Sequence, residues 1–248
     1  MAEKQNVIDA VAARMQRYLD ELPPELEHRK VFLSTYRRTT MAVGTAVAES
    51  RFEDPDWVEE WDVAFAELYL DAHDADRNDG VVPRPWRLAF EAAPDLPPLR
   101  LVLFGINAHV NYDLPQALLA VISDAEFADP VVMAKRQRDH QRIDGVLASR
   151  VAQEDDELSA RSAKSFLDTL LTPLNRLGTK RFLTEAREKV WHNTLELQRA
   201  RLTGPEAYRT RLAELEVLSA AKVADLMAPG QVILRLALTG FGVVLPPP

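Results

Sequence analysis

His109 and Asp113 stand four residues apart in GINAHVNYDLP, residues 105–115, and a helix continuing through Tyr112 would set them on one face. A carboxylate at that spacing can orient an imidazole or share its proton, the arrangement of a general acid–base pair. Asn107 and Asn111 crowd the same run, between the apolar stretches LRLVLF and LPQALLAVI. Such flanks imply burial, and each buried polar group then needs a partner. Pro115 disfavours helical geometry at Leu114, so a break in the chain is expected just past the cluster.

Other polar residues interrupt apolar faces. Trp57, Val58, Trp61, Phe65, Leu68, Tyr69 and Ala72 make one wide stripe at spacings of three and four, with Asp62 between Val58 and Phe65 and His73 one turn beyond Tyr69. Phe32, Val43 and Val47 lie in line with Tyr36, Thr39 and Thr40 set among them, which implies a hydroxyl-lined interior. Arg136, Asp139 and His140 fall on the strip defined by Ile143, Val146 and Leu147, and Trp191 and His192 sit at the edge of a stripe through Leu183, Val190 and Leu197.

Three chemistries fit these residues. In the first, His109 is a general acid or base oriented by Asp113. Asn107, Asn111, Tyr36, Tyr69, Asp62, Asp139, His140 and Trp191 then line the substrate, a small apolar metabolite, and cyclisation, isomerisation or elimination proceeds without a cofactor. In the second, His109, Asp113, His140, Asp144 and His192, with Glu188 one turn before His192, hold a divalent metal for a hydrolase or oxygenase. No Glu-x-x-His pair or His-Glu-x-x-His motif supports it. In the third the network is structural: His109 is a satisfied core histidine, the asparagines bond backbone and Asp113 caps the next helix. His73 among Asp71, Asp74 and Asp76 reads as solvated loop charge, and the tryptophan stripe as ordinary core.

Composition removes other classes. The chain has no cysteine, hence no disulfide, thiolate nucleophile or zinc–thiolate site, which suits a reducing compartment. A net charge of -8 disfavours nucleic acid, and the basic run Lys135–Arg142 is interrupted by Asp139. The opening MAEKQNVIDAVAARMQRYLDEL lacks the apolar centre of a signal peptide and no segment is long enough to span a bilayer, so the cytoplasm is the expected location. No nucleophile elbow, glycine-rich phosphate loop or dinucleotide fingerprint is present, which disfavours hydride and phosphoryl transfer.

The elements that would position these residues are helices. Glycine is scarce, at 9 residues, and most of the 16 prolines lie between apolar-periodic stretches. The pattern predicts one all-α domain over 1–248, a bundle of about eight to ten helices. They are placed near 5–22, 26–51, 55–76, 84–93, 98–112, 115–125, 130–158, 161–176, 179–202 and 205–227. Asp54-Pro55, Asp129-Pro130 and Gly204-Pro205 mark the clearest starts, and residues 74–85 the clearest loop. Residues 1–24 carry the N-terminal helix. The apolar tail 229–248 is either a short docking helix or an extended arm covering a groove or a second copy, as in a homodimer.

The run from Asn107 to Pro115, with FEDPDWVEEWDVAFAELYLDA and PRPWRLAFEAA upstream, resembles a bacterial all-helical family of unknown function over roughly residues 30–200. Asn107, His109, Asn111 and Asp113 match that family's run, and Tyr36, Trp57, Asp62, Tyr69 and Trp86 stand where the resemblance places family residues. It brings no activity with it.

Overall fold

The computed structural model describes residues 7–158 and 173–247, and every regular element among them is helical. α1 spans Val7–Glu21, α2 Lys30–Ala48, α3 Pro55–Arg77 and α4 Arg84–Phe90. α5 covers Pro98–Ala108, α6 Leu114–Val121, α7 Asp124–Phe127 and α8 Pro130–Leu158. α9 covers Pro173–Thr203, α10 Pro205–Met227 and α11 Val232–Thr239. The helix expected over 161–176 lies, as far as residue 172, outside the described residues.

The expected starts hold, for local reasons. Asp54 accepts the Trp57 N–H at 3.3 Å ahead of Pro55, and Asp129 accepts the Val131 and Val132 N–H groups at 2.8 and 3.2 Å ahead of Pro130. Gly204, at φ 142°, turns the chain before Pro205. The helix expected from residue 26 differs: Pro23 is extended and Pro24–Arg29 forms a 3-10 turn, so α2 begins at Lys30.

α5 and α6 form one buried rod through the middle of the bundle. α2 and α3 pack on one side of it, and α9 and α10 on the other. α4 sits against α5 and α10, α1 against α2 and α3, and α8 against α2 and α9. Gly105 allows the closest approach, because a Cβ there would fall 2.3 Å from a Phe32 ring carbon. That contact brings the aromatic side chains of α2 down onto the end of α5.

The expected break past His109 is absent. Leu114 is helical, at φ -60° and ψ -41°, and the rod continues into α6 through a single widened turn, His109–Asp113, in which the Leu114 N–H reaches the His109 carbonyl. Pro115 has no N–H to offer and its ring would collide with the Asn111 carbonyl of a regular α-helix; the wider turn relieves both problems without ending the helix.

Candidate acid–base site

The widened turn places the pair inferred from spacing. His109 Nδ1 lies 2.7 Å from Asp113 Oδ2, and Trp86 at the start of α4 donates its indole N–H to the same oxygen at 2.7 Å. Asp113 makes no capping bond to α6. The imidazole lies flat on Phe65, with ring centres 3.5 Å apart and planes 7° apart, and meets the edge of Tyr36 at 4.5 Å. Phe32, Tyr69 and Trp86 complete an aromatic enclosure around a pair that is 3% and 2% exposed.

Burial governs the electrostatics. It pushes His109 well below its usual range and Asp113 well above, while the Trp86 N–H draws Asp113 partly back. Both directions favour an uncharged pair, with the carboxyl proton held against Nδ1 and the single ring N–H at Nε2. Asp62, on the same face of α3 as Phe65, is pushed up to about 8 by burial and is therefore largely a neutral acid at pH 7. Burial also raises Tyr36 well above its usual range, so its phenol stays protonated.

His109 Nε2, Tyr36 Oη, Thr40 Oγ1 and Asp62 Oδ2 are buried without a hydrogen-bond partner among the described residues. The Thr40 hydroxyl is near enough to influence Tyr36 but not in bonding geometry. Four unpartnered polar atoms on neighbouring faces of α2, α3 and the widened turn are what a ligand with its own oxygen atoms would satisfy.

The remaining candidates lie elsewhere. The Asn107 carboxamide donates to the Leu103 carbonyl at 2.8 Å, and Asn111 bonds Asn107 and the backbone of the C-terminal arm, so both amides are engaged by the protein itself. Asp139 accepts the backbone N–H groups of Glu53 and Asp54, each at 2.8 Å, and Arg142 at 3.0 Å, and thereby anchors the turn into α3. His140 and Trp191 form a second centre with Trp61, at ring distances of 5.4 and 5.6 Å, in a separate core cluster from Tyr36 and Trp86.

The alternative metal ligands do not converge. Asp144 is paired with Arg187, His192 Nε2 lies 3.2 Å from the Leu245 carbonyl and Glu188 is exposed. Among the described residues no three His, Asp or Glu side chains come together in a way that could hold an ion.

His73 also departs from expectation. α3 runs on through Arg77, so His73 stays on the buried stripe, stacked on Tyr18 at 4.8 Å, and burial pushes it down to about 4. Asp74 and Asp76, read as loop charge, instead bind Tyr18, Arg14 and Arg29.

The sequence pattern reads Phe65 as ordinary core and gives Trp86 no chemical role. The sequence does hold a signal for Trp86: a buried indole needs an acceptor, and Asp113 is a buried carboxylate able to accept a bond besides that of His109. A surface cleft of about 490 Å³ where α3, α7 and α8 meet, lined by Asp54, Trp57, Glu60, Glu126 and Arg136, has no counterpart in the sequence pattern, and Arg136 spans it by pairing with Asp54 and Glu126.

A family model described as a family of unknown function (DUF5995) matches residues 8–229. The chain belongs to this family. The part matched by DUF5995 contains every side chain of the His109 centre, whereas α11 and the extended arm after it lie beyond the match. No curated protein and no solved structure matches the chain.

Proposed function

We propose that this DUF5995 domain is an enzyme of the cytoplasm that moves a proton on a small, uncharged and largely apolar molecule, in an isomerisation, cyclisation or elimination, with His109 Nε2 as the atom that takes and returns the proton. The observation that carries the reading is the sealed His109–Asp113 pair whose outward nitrogen has no protein partner. When Nε2 gives up its proton, the Asp113 proton settles on Nδ1, leaving a carboxylate held by Trp86 and an imidazole whose Nε2 lone pair is a base. Reversal restores the acid form at the same atom. Asp62 and Tyr36 supply neutral donors for a carbonyl or hydroxyl oxygen, which a buried carboxylate could not do. The aromatic walls exclude water and offer no counter-charge, which favours an uncharged substrate.

The test is deuterium uptake. Incubation in D2O with a panel of open-chain and cyclic ketones and enones, read by mass spectrometry, is expected to exchange C–H for C–D at the acidic carbon of at least one class. His109→Ala is expected to abolish that exchange while helix content is retained. If no compound exchanges and His109→Ala lowers only the melting temperature, the pair is structural.

A further inference from the structure

After α11 the chain runs without regular structure, and body side chains grip its backbone. Asn111 donates Nδ2 to the Phe241 carbonyl at 3.3 Å and accepts the Val243 N–H at 3.2 Å. Asn193 repeats the pattern two residues further on, donating to the Val243 carbonyl at 3.0 Å and accepting the Leu245 N–H at 2.9 Å. Lys189 reaches the Gly242 carbonyl at 3.3 Å, His192 the Leu245 carbonyl at 3.2 Å, and Arg211 the Pro246 carbonyl.

Each asparagine therefore presents a donor and an acceptor as a neighbouring β-strand would, to residues alternating along the arm. Leu245 is fully buried among Tyr112, Leu119, Leu197 and Leu215. Gly242 allows the close approach, since a Cβ there would lie 2.7 Å from Lys189 Cδ and 3.3 Å from the Ala186 backbone. The groove reads backbone and one apolar side chain, and nothing in it requires the arm to come from the same chain.

Three features favour exchange of the arm between copies. Residues 236–248 contain no charged side chain, so the segment crosses to another copy without desolvating an ion. Gly230 at φ 116° and Gly240 at φ 72° are turning points on either side of α11. The groove lies within the family match and the arm outside it.

From this we infer that the groove between Asn111, Asn193 and Arg211 is a binding site for an extended apolar segment, and that the arm of a second copy enters it, two copies exchanging arms to form a homodimer. Every contact made in cis is remade in trans, so the balance is set by the high effective concentration of the chain's own arm against total protein concentration.

The test uses the full chain in sedimentation velocity from about 1 μM to about 1 mM, a range that spans typical effective concentrations. A dimer is expected to grow with concentration and to revert to monomer in excess synthetic peptide GFGVVLPPP, residues 240–248. Gly242→Val weakens the arm–groove contact equally in the closed monomer and in the exchanged dimer, so it is expected to lower the melting temperature while leaving the dimer fraction at a given concentration unchanged. Asn193→Ala is expected to do the same from the groove side, with retained helix content as the control. A chain that stays monomeric throughout, or a dimer that persists in excess peptide, overturns the inference.

Discussion

Among the buried side chains, Asp62 carries a large and measurable cost. Its carboxyl is raised to about 8 by burial against an ordinary value of 3.8, so the fold retains a proton that the unfolded chain has lost. The stability this permits is complete below about pH 4 and is lost as pH rises through about 8, at about 1.4 kcal/mol per pH unit. Asp62→Asn is expected to stabilise the protein by a few kcal/mol at pH 9 and by little at pH 4, as read from urea midpoints. Trp86 acts in the other sense. Its N–H favours the ionised form of Asp113, so Trp86→Phe is expected to raise the pH at which the His109–Asp113 pair gives up its proton, followed by ring-nitrogen shifts in 15N NMR. It is also expected to cost about 2 kcal/mol for the lost bond to a buried acid.

At the scale of elements, two devices hold the site. One is the widened turn, which lets the central rod pass Pro115 and keeps His109 and Asp113 on one face. The other is Asp139 on α8, whose two oxygens hold the backbone N–H groups of Glu53 and Asp54 at the entry to α3, the helix that supplies Phe65 and Asp62. Asp139→Ala would leave both donors without acceptors and is expected to cost about 3 kcal/mol of stability by denaturant titration. Asp139 is bonded to Glu53, Asp54 and Arg142 rather than to His109, so deuterium exchange by the remaining folded protein is expected to persist; its complete loss would place Asp139 in the chemistry instead.

At the scale of the whole molecule, the buried titrating groups oppose one another across pH 6.5. Burial lowers His73 to about 4 and lowers His140 strongly, so between about pH 6.5 and 4 the unfolded chain binds protons the fold refuses, and stability falls as pH falls. Asp62 runs against them in that window and is outnumbered. Above pH 6.5 the fold keeps protons on Asp62 and on the His109–Asp113 pair that the unfolded chain releases, and stability falls as pH rises. Stability is therefore expected to peak near pH 6.5, with His73→Phe flattening the acid limb; urea midpoints at unit steps from pH 4 to 9 measure both. The amino-acid sequence by itself determined the all-helical class, the starts at Pro55, Pro130 and Pro205, and the shared face of His109 and Asp113, because capping, proline geometry and helical periodicity act within a few residues. Only the tertiary structure decided that Trp86 joins Asp113, that Phe65 covers the imidazole, that His73 is interior, and that Asn111 bonds the arm and Asp139 the turn into α3. Those outcomes depend on which helices pack together, and a buried polar side chain looks the same in sequence whether its partner is a backbone amide, a distant indole or a substrate.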